Sequence, residues 1–281
     1  EIGVRLVGSE MCIRDSIWDL PSQIRNRYLK YCFSHSIRCY MSPKISDIIL
    51  LGTDRIHLFD TPLLMCRNQG LSMEQRAAKR VLDIIVSGLG IIVSSPIMLI
   101  IAIAVKAYDG GPVFYLQDRL TYQGKEFRIR KFRSMCVDSE KNGARLASKH
   151  DSRITPVGHV LRNLHLDELP QLFNVFMGDM SLVGPRPERD VIMQEYEQEI
   201  PEFHYRLKVK AGLTGYAQVY GKYNTTPYDK LKLDLFYIEN YSFLLDIKLL
   251  FMTVKIFFQK EVSEGVDDNQ KNALKDSEDK K

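Results

Sequence analysis

The chain has 281 residues, enough for one large domain or for one domain plus fragments of another. Hydrophobic residues make up 45% and charged residues 26%, proportions that are normal for a folded protein. The formal net charge of +4 favours anionic partners only mildly. The five cysteines show no close, metal-like spacing, so we interpret them as reduced thiols in a cytosolic setting and expect no zinc site.

The N-terminal part of the chain gives weak structural signals. Residues 1–16 have no clear periodicity, and we expect them to be non-native. Residues 17–78 contain short apolar runs separated by Pro, Gly and Asp, a pattern typical of strands and turns. About sixty residues can bury only a small core, so we interpret this part as the end of a larger domain plus a linker. A capping box of Ser72 and Gln75 predicts the start of a helix.

A long apolar segment follows. Residues 84–105 carry no charge, and about 22 apolar residues are long enough to cross a bilayer. Ser95 and Pro96 lie near its middle, where proline kinks a helix. A spanning helix usually carries its basic excess on one side only. Here basic residues flank both ends: Lys79, Arg80 and Lys106. We therefore predict a re-entrant helix over residues 80–106 that breaks at Ser95 and Pro96, with a spanning helix or a buried soluble helix as alternatives.

The segment after the apolar helix predicts a β-hairpin. "PVFYLQ" and "EFRIRKF" are rich in strand-forming residues, and "TYQGK" supplies a turn at Gly124. Between Arg119 and Arg133, six basic residues and one acid give a local net charge of +5. This surface is a solvated strand face, a nucleic-acid surface or a contact for lipid headgroups. Because it directly follows the membrane segment, anionic lipids are nearer than nucleic acid, and we predict no nucleic-acid partner.

Two adjacent carboxylates precede a predicted helix. Pro170 is best tolerated in the first turn of a helix, which places Asp167 and Glu168 in or just before that turn. A helix N-terminus favours anions, so a simple capping role is one interpretation of Asp167. Adjacent side chains on a helix point about 100° apart and suit different tasks. In the other interpretation, one carboxylate attacks phosphorus and the second holds a divalent metal such as Mg²⁺.

The stretch "SLVGPRPE" predicts a rigid phosphate-binding loop. Pro185 and Pro187 fix the backbone on both sides of Arg186, and Gly184 permits a close approach or an unusual turn. An arginine held in this way is pre-ordered for bidentate phosphate contact, whereas an incidental surface arginine is the alternative. We expect the neighbouring arginines to lower the pKa of Asp167. Further predicted phosphate ligands are Arg162, Lys131 and Arg133.

The C-terminal region fits a membrane-edge protein. Tyr228, Leu231, Leu235 and Ile238 form one face of a predicted helix. The apolar run "FLLDIKLLFMTVKIFF" has polar residues that do not form one stripe, and we expect it at the bilayer interface. Residues 260–281 contain five lysines, seven acids and no aromatic residue, which predicts a disordered tail.

Six motifs occur in a fixed order: "KRVLDI", the Ser-Pro of the membrane segment, "GPVFYLQDR", "GKEFRIRKFRSM", "LDELPQLFNVFMGDMSLVGPRP" and "KAGLTGYAQVYG". Over roughly residues 79–259 the ordered set resembles the bacterial sugar transferase family, the monotopic polyprenyl-phosphate phosphoglycosyl transferases. Each motif alone is weak, whereas the set is highly specific. Residues 17–78 are similar to the end of the nucleotide-binding-like domain of long members. We therefore expect a fragment of a long-form enzyme that retains the catalytic module.

The resemblance implies an activity. Members move a sugar-1-phosphate, here expected to be a hexose-1-phosphate, from a UDP-sugar to undecaprenyl phosphate and release UMP. They act at the cytoplasmic face of the inner membrane and open exopolysaccharide, capsule or O-antigen assembly. The alternative is a non-catalytic membrane scaffold of a polysaccharide assembly complex, which the intact Asp-Glu and Pro-Arg-Pro motifs argue against. The sugar, the acceptor length and the oligomeric state, a homo-oligomer included, stay open.

The resemblance also implies residue roles. By position, Asp167 matches a nucleophile that forms an aspartyl-phosphosugar intermediate, and Glu168 matches its Mg²⁺-binding partner. The remaining matches are the phosphate-contacting arginines Arg162 and Arg186, the nucleotide loop with Gly184, Pro185 and Pro187, and the helix-breaking pair Ser95 and Pro96. We assign no chemistry to His165. The expected fold is α+β and mainly helical, with a re-entrant membrane helix, a small β-hairpin and interfacial amphipathic helices.

Overall fold

A computed structural model describes residues 5–7, 10–12, 21–66, 70–137, 151, 153–221 and 225–257 of the chain. The chain divides into two compact units, Glu1–Leu50 and Leu51–Lys281. Helices dominate the described residues and the strands are short, which confirms the predicted mainly helical α+β class. The tail predicted for residues 260–281 lies outside the described residues, and the predicted domain boundaries stay predictions.

The first unit combines a small sheet with two helices. Its elements are β1 (Arg5–Val7), β2 (Glu10–Cys12), α1 (Ser22–Ser34), β3 (Arg38–Tyr40) and α2 (Ile45–Leu51). Strand β2 pairs antiparallel with β1 and parallel with β3. An ion pair between Arg25 and Asp47 joins the two helices, and Cys32 and Ile48 are buried. The non-native origin that we expect for residues 1–16 stays a prediction.

The second unit contains the long apolar helix and the motif-bearing segments. Its elements are β4 (Asp54–Leu58), β5 (Thr61–Met65), α3 (Met73–Asp109), β6 (Phe114–Leu120), β7 (Glu126–Phe132), α4 (Pro156–Asn163), α5 (Gln171–Met177), β8 (Ser181–Val183), α6 (Asp190–Glu199), β9 (Gly212–Thr214), α7 (Tyr216–Tyr220), α8 (Pro227–Glu239) and α9 (Phe243–Phe257). Strands β4 and β5 pair antiparallel, and so do β6 and β7, while β8 and β9 pair parallel. The β6–β7 pair confirms the predicted hairpin.

Helix α3 begins at the predicted capping box. The Ser72 hydroxyl accepts a hydrogen bond from the Gln75 amide at 3.2 Å, and the Gln75 side chain accepts one from the Ser72 amide at 2.8 Å. The helix ends at Gly110, which adopts the left-handed conformation that favours glycine. By length and composition, α3 could cross a membrane. At 37 residues it is roughly 55 Å long, which exceeds the hydrocarbon thickness of a bilayer.

The structure shows no interruption of α3 at Ser95 and Pro96, where the sequence predicted a break. Pro96 has no amide hydrogen, so the carbonyl of Ile92 loses its usual helical donor. The Ser95 hydroxyl donates to this same carbonyl oxygen at 2.8 Å. In an apolar environment an unpaired carbonyl is costly, and the serine removes that cost locally. The helix therefore continues through the proline, and a re-entrant path stays a prediction.

The basic flank at the start of α3 has a role inside the protein. Lys79 is buried and its Nζ lies 2.6 Å from Asp246 Oδ2. Arg80 donates to the carbonyl oxygens of Val175 and Phe176, both at 2.7 Å, at the C-terminus of α5. These two cations therefore bind groups of the protein itself. Basic residues at both ends of α3 favoured re-entry, and those at its N-terminal end are explained by contacts within the protein.

Polar residues of α9 contact both α3 and β9. Asp246 accepts hydrogen bonds from Lys79 and from the Tyr237 hydroxyl, the latter at 2.7 Å. Thr253 lies two turns along the same face and contacts Thr214 at 2.6 Å between the hydroxyl oxygens. Lys248 and Lys255 are exposed on the opposite side, so the polar residues of α9 form no single stripe. The exposed side also carries Leu244, Phe251 and Val254, while the expected interfacial position stays a prediction.

Replacing Asp246 with Asn should destabilise the protein strongly, because Lys79 would remain buried without its counter-charge. We expect a loss of about 3–5 kcal/mol in the free energy of unfolding, measured by denaturant titration in detergent. Asp118→Asn is the control, because its pair with Arg128 is exposed at the surface and should contribute less than about 1 kcal/mol. Equal losses in the two variants would contradict a structural role for the Lys79–Asp246 pair.

Candidate active site

The carboxylate pair lies in a short 3₁₀ turn, Leu166–Glu168, between α4 and α5. His165 begins the turn in the left-handed conformation, with φ of 53°. Leu166 and Leu169 on either side of the pair pack against a core formed by Met98, Ile101, Val105, Phe132 and Leu161. Helix α5 starts after Pro170, as predicted, but no side chain caps it. The structure therefore gives no support to Asp167 as the cap of this helix.

Glu168 brings two predicted phosphate ligands together. Its Oε1 lies 2.6 Å from Lys131 Nζ on β7 and 3.1 Å from Arg186 Nη2 in the loop after β8. Burial acts to raise the pKa of the Glu168 carboxyl, but Arg186 and Lys131 outweigh it and hold the pKa well below its usual range. Glu168 is therefore a permanently ionised carboxylate in the pH range of the cell.

Asp167 has the opposite electrostatic environment, which corrects the expectation of a lowered pKa. Burial raises the pKa of the Asp167 carboxyl, and the neighbouring charge of Glu168 raises it further. Lys131, Arg162 and His165 act in the lowering direction but do not overcome these two effects. The physical reason is that Lys131 and Arg186 form their hydrogen bonds with Glu168.

The other two predicted phosphate ligands have different positions. Arg162 donates from Nε to the Ser134 hydroxyl at 2.9 Å, and its charge favours the ionised form of Asp167. Arg133 is buried, and both of its Nη atoms donate to the carboxylate of Asp109 at the end of α3. The structure thus uses Arg133 to fasten β7 to α3 and does not place it beside the carboxylate pair.

The Pro-Arg-Pro loop is held tightly at its base. A Cβ atom on Gly184 would lie 2.4 Å from the carbonyl oxygen of Lys210. Only glycine therefore lets the loop backbone come this close to the residues just before β9. Pro185 and Pro187 are both buried. The side chain of Arg186 is 52% exposed, so its guanidinium can reach a ligand as well as Glu168. The predicted rigid loop therefore presents one accessible cation from a buried backbone.

Two arginines that sequence reasoning missed hold this loop. Arg119 Nη1 donates to the carbonyl oxygen of Pro187, and Arg206 Nη2 donates to that of Arg186, both at 3.0 Å. Arg206 in turn lies 2.8 Å from Asp234 on α8, and burial raises the pKa of Asp234 to about 6. The available signal was Asp234 itself, a charged residue beside the apolar face of α8 that must find a partner when buried.

The site has the oxygen ligands that a hard cation prefers. Both contacts of Glu168 with cations are made by Oε1. Its other oxygen, Oε2, and the Asp167 carboxylate could therefore bind a metal ion. Among the described residues no group of three or more His, Cys, Asp and Glu could hold a metal. Mg²⁺ is commonly bound by one or two carboxylates, with substrate phosphates and water completing the shell. The residues therefore fit a magnesium ion that is held jointly with a phosphorylated substrate.

Comparison with known proteins identifies the class. Residues 74–260 match the model of the bacterial sugar transferase family, and the chain belongs to this family. The chain is 44% identical over 232 residues to a UDP-N-acetylgalactosamine-undecaprenyl-phosphate N-acetylgalactosaminephosphotransferase of Aeromonas hydrophila, covering 82% of this chain and 54% of that protein. It is 43% identical over 208 residues to a UDP-glucose:undecaprenyl-phosphate glucose-1-phosphate transferase of Klebsiella pneumoniae, covering 72% and 43%. The corresponding Escherichia coli (strain K12) transferase is 40% identical, with the same coverage. The chain spans about half the length of the curated relatives it matches.

Asp167→Asn should stabilise the protein at neutral pH. Because folding raises the pKa of Asp167, the stability linked to this group is fully present below the unfolded pKa of about 3.9 and is lost as the pH rises through the folded pKa. The neutral amide avoids this loss. We expect a melting temperature above that of the wild type at pH 7, and a difference that shrinks as the pH falls towards about 4.

Thermal unfolding in detergent, followed by circular dichroism, measures this effect. Asp118→Asn controls for the loss of one negative charge at an exposed position. A lower melting temperature of Asp167→Asn at pH 7 would contradict the raised pKa.

Proposed function

We propose that the protein transfers a sugar-1-phosphate, with a hexose as the expected sugar, from a UDP-sugar to undecaprenyl phosphate and releases UMP. The observation that carries the proposal is the 3₁₀ turn that holds Asp167 and Glu168 beside Lys131, Arg186 and Arg162. Diphosphate substrates need such cations for binding, and a carboxylate is a competent nucleophile at phosphorus. The names of the relatives support both substrates.

The two carboxylates have separate roles in the proposed reaction. Glu168 is fixed by two cations. Burial and the charge of Glu168 raise the pKa of Asp167, which makes its carboxylate the more basic and the more nucleophilic of the two. An Asp167 oxygen attacks the phosphorus that carries the sugar. A bond from Asp167 to phosphorus forms, the bond to the bridging oxygen of the diphosphate breaks, and UMP leaves with that electron pair.

The second half-reaction regenerates the carboxylate. A phosphate oxygen of undecaprenyl phosphate attacks the same phosphorus, and the bond to Asp167 breaks, so the sugar-linked diphosphate forms on the lipid. Arg186 and Lys131 bind the phosphate oxygens and offset their charge, and Arg162 stabilises the released Asp167 carboxylate. Magnesium held by Glu168 would supply further positive charge to the phosphates.

The proposed location follows from α3 and from the lipid substrate. Helix α3 presents exposed Ile92, Val93, Leu99, Ile100 and Ile103, a surface suited to lipid chains. The carboxylate turn packs on the second half of this helix through Leu166 and Leu169. We propose that the protein acts at the cytoplasmic face of the bacterial inner membrane, where it initiates exopolysaccharide, capsule or O-antigen synthesis.

The covalent role of Asp167 can be tested without the lipid acceptor. Enzyme mixed with a UDP-sugar radiolabelled in the sugar, then quenched with acid, should carry label on the protein and release UMP. Asp167→Asn should fold, yet carry no label and show almost no turnover with acceptor present. A wild-type enzyme that turns over but never carries label, together with an active Asn variant, would refute the nucleophile. Complete absence of UMP release with a panel of UDP-sugars would favour the scaffold.

A re-entrant path of α3 predicts that both of its ends lie on one side of the membrane. Single cysteines at the exposed positions Met73 and Tyr108, in a cysteine-free background, report the two ends. In sealed vesicles we expect a membrane-impermeant reagent to label both or neither. Labelling of the two positions from opposite faces would show that α3 spans the bilayer.

A further inference from the structure

Arg206 is buried between the Pro-Arg-Pro loop and α8. It is 3% exposed and lies in a 3₁₀ segment, Pro201–Lys208. Its Nη2 donates to the backbone carbonyl of Arg186 at 3.0 Å and lies 2.8 Å from Asp234 Oδ2. The Phe203 ring packs against the guanidinium, with 4.9 Å from Cζ to the ring centroid. These contacts of Arg206 are all with groups of the protein itself, so we expect its effect on the reaction to pass through its neighbours.

A contribution to stability does not by itself explain the buried Arg206–Asp234 ion pair. Both side chains are almost completely buried, so both charges lose their hydration. Well-packed apolar side chains of similar volume often stabilise such a position equally well or better. An apolar pair, however, cannot donate a hydrogen bond to the Arg186 carbonyl. The contact that sets the charged pair apart from an apolar one is therefore the contact with the loop.

A second guanidinium holds the next residue of the loop. Arg119 Nη1 donates to the carbonyl oxygen of Pro187 at 3.0 Å. The Glu188 carboxylate lies 3.8 Å from Arg119 and 3.5 Å from Arg206, so it provides counter-charge to both. Two consecutive carbonyl groups are thus fixed by two arginines. These contacts order the loop before any substrate binds, which reduces the conformational entropy lost when Arg186 binds a phosphate.

We propose that Arg206 and Asp234 are positioning residues for Arg186. Asp234 orients the Arg206 guanidinium, Arg206 holds the backbone of Arg186, and the Arg186 side chain is thereby aimed at the substrate phosphate and Glu168. The inference rests on the proposed function, in which Arg186 binds phosphate. It assigns Asp234, which lies on a different helix, to the machinery that determines how well a UDP-sugar reacts.

The decisive variant replaces the pair by apolar residues, Arg206→Met together with Asp234→Leu. No buried charge is left without its partner, so we expect a melting temperature near that of the wild type. The carbonyl of Arg186 loses its donor, and kcat/KM for the UDP-sugar should fall roughly 10- to 100-fold. Arg206→Met alone should lower both the melting temperature and the activity. Recovery of full activity together with stability in the double variant would overturn the inference.

A mutant cycle with Arg186→Lys tests whether the effect passes through Arg186. Lysine cannot reproduce the guanidinium fork, so this variant alone should lose roughly 10- to 100-fold in kcat/KM. Adding the Arg206→Met and Asp234→Leu changes should then cost little more, because the positioned group is already absent. Leu231→Ala, on the same helix as Asp234, is the control, because it should lower the melting temperature without acting on Arg186. Any loss in kcat/KM that it causes should therefore multiply with the loss caused by Arg186→Lys. The inference would be overturned if the kcat/KM loss of the Arg206→Met and Asp234→Leu changes multiplied with the loss of Arg186→Lys in the same way.

Hydrogen exchange separates this inference from the proposed function. Peptides that cover residues 184–190 should exchange faster in the apolar double variant than in the wild type or in Leu231→Ala. An unchanged rate would overturn the inference whether or not the enzyme turns over. Faster exchange in a protein whose wild-type form releases no UMP would refute the proposed function and leave the positioning role supported.

Discussion

The ion pairs of Glu168 with Lys131 and Arg186 are the interaction on which the candidate site depends. They join three segments that are distant in sequence: strand β7, the 3₁₀ turn after α4, and the loop after β8. They also explain why two neighbouring carboxylates differ. Glu168 takes the cations and its pKa falls, whereas Asp167 is left with burial and a negative neighbour, and its pKa rises. The same pair of cations thus gives two neighbouring carboxylates opposite electrostatic environments.

Local signals in the sequence predicted the parts of the site that depend on local structure. The capping box at Ser72, the β6–β7 hairpin and the rigid loop around Arg186 each rest on residues that are close in the chain, and the structure contains all three. Charges were harder to place, because a charge pattern does not say which groups pair across the fold. Lys79 pairs with Asp246, 167 residues away, and Arg133 pairs with Asp109 at the end of α3.

The apolar helix shows a limit of a rule based on one residue type. Proline removes one hydrogen bond from a helix, and this loss was the reason to predict a break at Ser95 and Pro96. The structure shows the local remedy, in which the hydroxyl of Ser95 supplies the donor that Pro96 lacks. A Ser-Pro pair is therefore compatible with an uninterrupted helix.

Several contacts give the carboxylate turn of the candidate site a fixed position relative to the apolar helix. Leu166 and Leu169 tie the carboxylate turn to the core on α3, and Asp109 ties the strand that carries Lys131 to the end of the same helix. The Asp83 carboxylate accepts bonds from the Ser181 hydroxyl and the Leu182 amide, which fastens β8, and so the start of the Arg186 loop, to α3 as well. Under the proposed function the acceptor phosphate stays at the membrane surface, and these contacts would hold the carboxylate turn at a fixed position relative to α3, the helix that could enter the membrane.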